Sequence, residues 1–256
     1  MYTIVNFSPT GNAAYIGNKI AEQLIKSSNT KVLALEHTVP SSLQKNTHLV
    51  LVFAIHAFNA PRTVRRFIHQ MPGYLFNYVS IIGVGCSTSW VNDGATLHLR
   101  KQLLKKGYKI VVDTVVAMPL TFIMSFPHEL IKKQLKQTKI DIPIISDDIA
   151  SCKSTNKKVA IKSRLISRLG RVESGVSRFF GLELYANKSC TRCEQCVREC
   201  PEKNIKITEK GDIRFGFRCL MCMRCIYNCP DRAISPKISK FVPIRKGYKI
   251  QEFVDQ

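Results

Sequence analysis

The chain has 256 residues, 45% of them hydrophobic, with 39 Lys and Arg against 18 Asp and Glu for a formal charge of +21. That length and apolar content can bury a full core, which excludes a largely disordered chain and removes any need for disulfide staples. Tyr2 to Phe7 reads as a strand with no basic-then-apolar leader ahead of it, and no apolar run reaches about 18 residues, so a soluble, cytoplasmic protein is expected. Ten cysteines in such a compartment point to metal or redox chemistry, because thiols there stay reduced.

In chain order, short apolar strands are expected at 2–7, 31–36, 48–55, 78–85 and 109–117. Helices are expected between them over Asn12–Lys26, Pro61–Gln70 and Asp93–Lys106, the first showing Ile16, Ile20 and Leu24 at helical spacing. Strands joined by crossover helices make an α/β, doubly wound parallel sheet, and runs such as Leu49–Phe53 are apolar throughout, as strands covered on both faces should be. Ligands of such sheets bind at the carboxyl ends of the strands, so the loops near 8, 56 and 86 are the ones to search.

The first of these loops reads Ser8-Pro9-Thr10-Gly11-Asn12-Ala13. Glycine permits close approach to a phosphate, the hydroxyls of Ser8 and Thr10 can donate, and the following helix start supplies free N–H groups. No lysine follows, which argues against a nucleoside triphosphate and for a monophosphate; the plain alternative is a turn with an Asn cap. Gly83-Val-Gly85-Cys-Ser-Thr88 lacks the third glycine of a dinucleotide fingerprint and falls at the fourth strand, so an NAD reading is set aside.

On Ser8, Thr10, Gly11 and Asn12 the first part resembles the flavodoxins, with Ala13 departing from the pattern by lacking a hydroxyl. The resemblance implies bound FMN, with the phosphate in this loop and the ring between two further loops. Here those are Ile55–Pro61, containing His56, Phe58 and Asn59, and Gly85–Gly94, containing Cys86, Ser87 and Trp90. Trp90 offers either a stacking face or an anchor for a long loop. His56 stands either near the flavin edge, where it would stabilise a reduced ring, or simply hydrogen-bonded at a strand end. Cys86 reads better as a small buried hydrophobe than as a reactive thiol.

Eight of the ten cysteines lie between Cys190 and Cys229. The run Cys190-x-x-Cys193-x-x-Cys196-x-x-x-Cys200-Pro201 recurs 29 residues later as Cys219-x-x-Cys222-x-x-Cys225-x-x-x-Cys229-Pro230. Three thiolates at this interval suit a cubane, with the fourth cysteine serving the other cluster; paired zinc sites would have no use for the third cysteine or for Cys-Pro. Two [4Fe-4S] clusters are expected, one on Cys190, Cys193, Cys196 and Cys229, the other on Cys219, Cys222, Cys225 and Cys200. Val197, Ile205, Ile207, Leu220, Ile226 and Ala233 would shield the sulfurs, and 208–217 would form a hairpin between the halves. Residues 185–235 resemble a bacterial two-cluster ferredoxin, and the chain as a whole resembles the flavodoxin/ferredoxin fusion proteins.

The organisation expected is a flavodoxin-like domain at 1–150, a basic helical linker at 151–182, a small α+β ferredoxin-like domain at 183–238 and an unplaced tail at 239–256. In the linker, Ile161, Leu165, Ile166, Leu169, Val172, Val176 and Phe179 recur at helical spacing, so that face is expected to bury and the basic one to face solvent. Residues 1–150 hold 16 basic and 8 acidic residues and 151–256 hold 23 and 10, which favours an acidic redox partner such as a ferredoxin, flavodoxin or oxidoreductase. Peripheral contact with anionic lipid fits the linker equally well. A nucleic-acid role would leave the first loop unexplained. An electron-transfer protein is the preferred reading, with a flavin enzyme that reduces a small substrate as the alternative.

Overall fold

Strands β1 (Tyr2–Phe7), β2 (Thr30–Ala34), β3 (His48–Ala54), β4 (Tyr78–Gly85) and β5 (Lys109–Ala117) form one parallel sheet in the order β2-β1-β3-β4-β5. This is the flavodoxin-like order of the doubly wound class, with its reversal point between β1 and β3. The structure is a computed structural model and describes residues 1–73, 75–155 and 159–254, apart from the side chains of 171–174. Helices α1 (Asn12–Leu24) and α5 (His128–Ala150) cover one face; α2 (Arg62–Gln70) and α4 (Leu97–Lys105) cover the other.

Alternation along the strands builds both cores. Ile4, Val50, Val52 and Ile82 point to Ile16, Ile20, Ile131 and Ile149, while Val5, Leu49, Leu51 and Ile81 point to Val64, Ile68, Leu99 and Leu103. Each such side chain contributes roughly 1.5–3 kcal/mol by leaving water. Element ends differ from expectation only locally. The second strand stops at Ala34, where a 3-10 turn begins, and the helix expected at 93–106 is preceded by a separate turn, α3 (Trp90–Asp93).

The second part begins with α6 (Ile161–Glu183), followed by β6 (Leu184–Ala186), α7 (Gln195–Glu199), β7 (Ile205–Ile207), β8 (Ile213–Phe215), α8 (Arg224–Tyr227) and β9 (Ile234–Pro236). β7 and β8 pair as an antiparallel hairpin that begins at Ile205, ahead of the 208–217 expected, and β6 pairs antiparallel with β9. The 29-residue repeat is also a repeat of backbone. Left-handed residues Arg192, Glu194 and Lys203 recur as Met221, Met223 and Arg232, and β7 recurs as β9.

One expectation is corrected. Helix α6 does not bury its apolar stripe: Ile161, Leu165, Leu169, Val176 and Phe179 are exposed, Ile166 is partly buried, and the side chain of Val172 lies outside the described residues. Buried instead are Ser163, Ser167, Gly170, Phe180 and Gly181; at the two glycines backbone runs against backbone, and a Cβ on Gly170 would sit 1.8 Å from the Ala57 carbonyl oxygen. The tail, unplaced from the sequence, packs on the first part. Tyr248 and Ile250 are buried in the core around α1, and α9 (Gln251–Val254) closes the described chain.

Candidate functional site

After Phe7 the chain turns through Ser8–Gly11 into α1. Gly11 has φ of 98°, and a Cβ there would stand 2.9 Å from Ile250 Cγ2, so both conformation and space call for glycine. The Ser8 hydroxyl accepts the Ala14 N–H at 2.9 Å and holds the curve of the loop. Among the described residues the backbone N–H groups of Thr10, Gly11, Asn12 and Ala13 donate to no protein acceptor. They form a row of free donors at the positive end of the helix dipole, which fits a phosphate. The Asn12 side chain is instead a brace: its amide donates to the Pro119 carbonyl at 2.9 Å, and its oxygen accepts from the Tyr248 hydroxyl at 2.6 Å. Ala13 is fully buried.

A cavity opens at the carboxyl ends of β1, β3 and β4. Thr10, Asn12, His56 and Cys86 line it, Pro119–Phe122 form one side, and Leu220–Met223 from the cysteine-rich part close it. His56 and Asn59 exchange backbone hydrogen bonds across a tight turn whose central residues, Ala57 and Phe58, both have positive φ. The His56 ring hydrogen-bonds the Leu220 backbone, and enclosure by protein pushes its imidazole down to about 4, so it is neutral near pH 7. Burial also raises the Cys86 thiol, leaving it protonated.

The other sequence candidates are used elsewhere. Asn59 is buried, with its amide donating to the Ser167 carbonyl and its oxygen accepting from the Ser167 hydroxyl, both at 2.7 Å. Trp90 is exposed, with the Lys162 ammonium 4.8 Å from its ring centroid. Ser87 accepts from the Ser89 N–H at 3.0 Å, and Phe58 faces solvent.

The eight cysteines form two quartets around two cavities. Cys190, Cys193, Cys196 and Cys229 line one; Cys200, Cys219, Cys222 and Cys225 line the other. Each quartet draws three ligands from one run and the fourth from its repeat. Ile205, Leu220 and Ile226 wall the second cavity and Ile234 the first. Backbone N–H groups of Asn204, Met221 and Ala233 donate to the sulfurs of Cys200, Cys219 and Cys229, each at 3.3 Å. Burial, with neighbouring thiols adding to it, pushes Cys196 and Cys219 up to about 11 and Cys222 up to about 12. Thiols raised in this way ionise against a bound cation, so their donor chemistry fits an iron core.

Sequence reasoning missed the groups that clamp the two sites together. Glu202, directly after Cys200-Pro201, is 2% exposed; it pairs with Arg62 at 3.4 Å and Arg66 at 2.9 Å and accepts from the Thr63 hydroxyl, all three on α2. Arg62 also donates to the carbonyls of Arg218 and Cys219. Arg224 donates to the Ser8 carbonyl at 2.9 Å and pairs with Glu36. The Tyr227 hydroxyl donates to the Thr121 carbonyl at 2.7 Å. The one local signal was an acidic residue set after Cys-Pro in a strongly basic chain.

Comparison with protein families matches residues 181–234 to the 4Fe-4S dicluster domain. Comparison with curated proteins finds no match. Among solved structures, similarity extends to a two-electron reduced Megasphaera elsdenii flavodoxin, at 16% identity over 45% of this chain and 85% of that one, TM-score 0.38. A Streptococcus pneumoniae TIGR4 flavodoxin is similar at 15% identity over 59% and 97%, TM-score 0.42. An NADH:FMN oxidoreductase in its apo form is similar at 13% identity over 62% and 92%, TM-score 0.45.

Proposed function

With a flavodoxin-like sheet and a 4Fe-4S dicluster domain joined in one chain, we propose that this protein transfers electrons between an FMN, two [4Fe-4S] clusters and an external redox protein. The observation that carries the proposal is the shared wall: Leu220–Met223 close the cavity beside the phosphate-type loop, and Cys222 belongs to the second quartet. Bound FMN supplies a carrier of one or two electrons, and each cluster a carrier of one.

The chain's own residues do the positioning. The free N–H groups of Thr10–Ala13 hold the phosphate, the Thr10 hydroxyl adds a donor, and His56 and Pro119–Phe122 exclude water from the ring. Cys219, Cys222, Cys225 and Cys200 hold the nearer cluster; Cys190, Cys193, Cys196 and Cys229 hold the farther one. Arg62, Arg66 and Glu202 fix the distance between the sites. Because the cluster-binding run forms one wall of the cavity, the arrangement supports transfer within the chain.

A groove beside Cys229 and Pro230 is lined by Arg232, Lys240, Arg245, Lys246 and Lys249. Its charge supports an acidic electron carrier docking next to the farther cluster, steered by a field that salt screens. No described helix is long and apolar enough to cross a membrane. Eight cysteines serving as cluster thiolates suit a reducing compartment such as the cytoplasm. Anaerobic purification with flavin and iron quantified, followed by redox titration, tests the proposal. One FMN and about eight irons per chain support it, and a flavin-free chain that cannot be reconstituted would overturn it.

A further inference from the structure

Up to Phe179, helix α6 turns Ser163, Ser167 and Gly170 inward and a row of large apolar side chains outward, the reverse of a helix at a soluble surface, whereas Phe180 near its end packs inward. Ile161 is 84% exposed, and Leu165, Leu169, Val176 and Phe179 each exceed one half. Their spacing by threes, fours and sevens puts them on one stripe of a helix 23 residues long, about 35 Å. The stripe continues beyond the helix. Phe217 meets Phe179 edge-on, ring centroids 4.8 Å apart, and the Glu183 carboxylate accepts the N–H groups of Ile238 and Ser239, which sets exposed Ile238 and Phe241 beside the helix end. Exposed Arg164, Arg168 and Arg178 run along one edge, and exposed Lys237 and Lys240 flank Ile238 and Phe241.

We propose that this stripe docks the protein on an anionic membrane surface, with α6 lying in the interfacial plane. The apolar row enters the acyl boundary and the arginines meet headgroup phosphates, as interfacial amphipathic helices do. A second copy is a poorer occupant, because stacking two such faces would bring arginine edges together in a chain of charge +21. An acidic protein would satisfy the arginines but not a straight row of protruding aliphatic and aromatic side chains. The proposal stands independently of what the cavity binds.

The test is co-sedimentation of the intact, anaerobically purified protein with vesicles of phosphatidylcholine alone or with about one third phosphatidylglycerol. Binding is expected to the anionic vesicles and to weaken as salt rises. Leu165→Gln with Leu169→Gln should lower partitioning at least tenfold with iron content and thermal midpoint unchanged, since both side chains are exposed. Arg164→Gln with Arg168→Gln should weaken the preference for anionic over neutral vesicles at least tenfold, at about 1 kcal/mol for each basic residue at the surface. Wild-type protein that stays in the supernatant with anionic vesicles would overturn the proposal, as would equal partitioning of the leucine variant. A wild-type dimer that the leucine variant converts to monomer would assign the stripe to a second copy instead, and capture by an acidic protein with no vesicle binding would assign it to a protein partner.

Discussion

Replacing Glu202 by Gln removes one negative charge from the joint between the two sites and leaves its shape almost unchanged. The carboxylate is 2% exposed, and Arg62, its closest companion in burial, is 17% exposed. Desolvation already pulls Arg62 below its ordinary pKa, and Glu202 opposes that pull. Breaking one partner of a buried pair costs about 3–5 kcal/mol. Arg62 keeps its bonds to the carbonyls of Arg218 and Cys219, and Gln can still accept from Thr63, so a loss of about 2–3 kcal/mol is expected here. That corresponds to a thermal midpoint lower by about 5–10 °C. Arg66→Gln is the control: its side chain is 42% exposed, so it should cost only about 0.5–1 kcal/mol. Thermal unfolding followed anaerobically at the flavin and cluster absorbances reads both variants. A Glu202→Gln midpoint within error of wild type, or a larger loss for Arg66→Gln, would refute the reasoning.

Further outcomes follow from single groups. His48 is buried, its ring 2.8 Å from the Ser80 hydroxyl, and desolvation with the nearby N-terminus lowers its pKa to about 4. The unfolded chain therefore binds the extra proton first, and stability should fall by roughly 3 kcal/mol as pH drops from about 6.5 to 4; urea midpoints of His48→Gln should lose that part of the slope. Thr10→Val, which removes a hydroxyl from the cavity wall, should lower flavin affinity and leave iron unchanged, and equal loss of both would show that the loop acts only as a structural brace. Arg62 lines the cavity, so Arg62→Gln should make the flavin midpoint more negative, by about 60 mV for each 1.4 kcal/mol of lost stabilisation of the reduced, anionic ring; an unchanged midpoint would remove the electrostatic argument. His56, neutral in this enclosure, contributes no charge to that effect.

What could be read from the sequence was what is local. The cysteine repeat stands out as two runs of one spacing, with the exchange of fourth ligands implied by their resemblance to two-cluster ferredoxins, and the strand pattern of Leu49–Phe53 reflects burial on both faces. The phosphate-type loop was legible as a turn with glycine, but not that Asn12 is consumed by Tyr248, 236 residues away. Periodicity identified α6 as a helix with an apolar stripe, yet it cannot say which stripe packs inward. That depended on how closely the backbone at Gly170 approaches Ala57. The place of Trp90 was hidden for the same reason, since its partner, Lys162, comes from α6. Glu202 carried no motif at all, and its importance exists only because α2 and the second quartet meet.

The central claim is that flavin and cluster exchange electrons inside one chain, and flash photoreduction of the clusters at graded protein concentrations tests it most directly. The account predicts flavin reduction at a rate independent of protein concentration, slowed in Glu202→Gln. A rate that rises in proportion to concentration, or a flavin that stays oxidised while the clusters hold electrons, would contradict it.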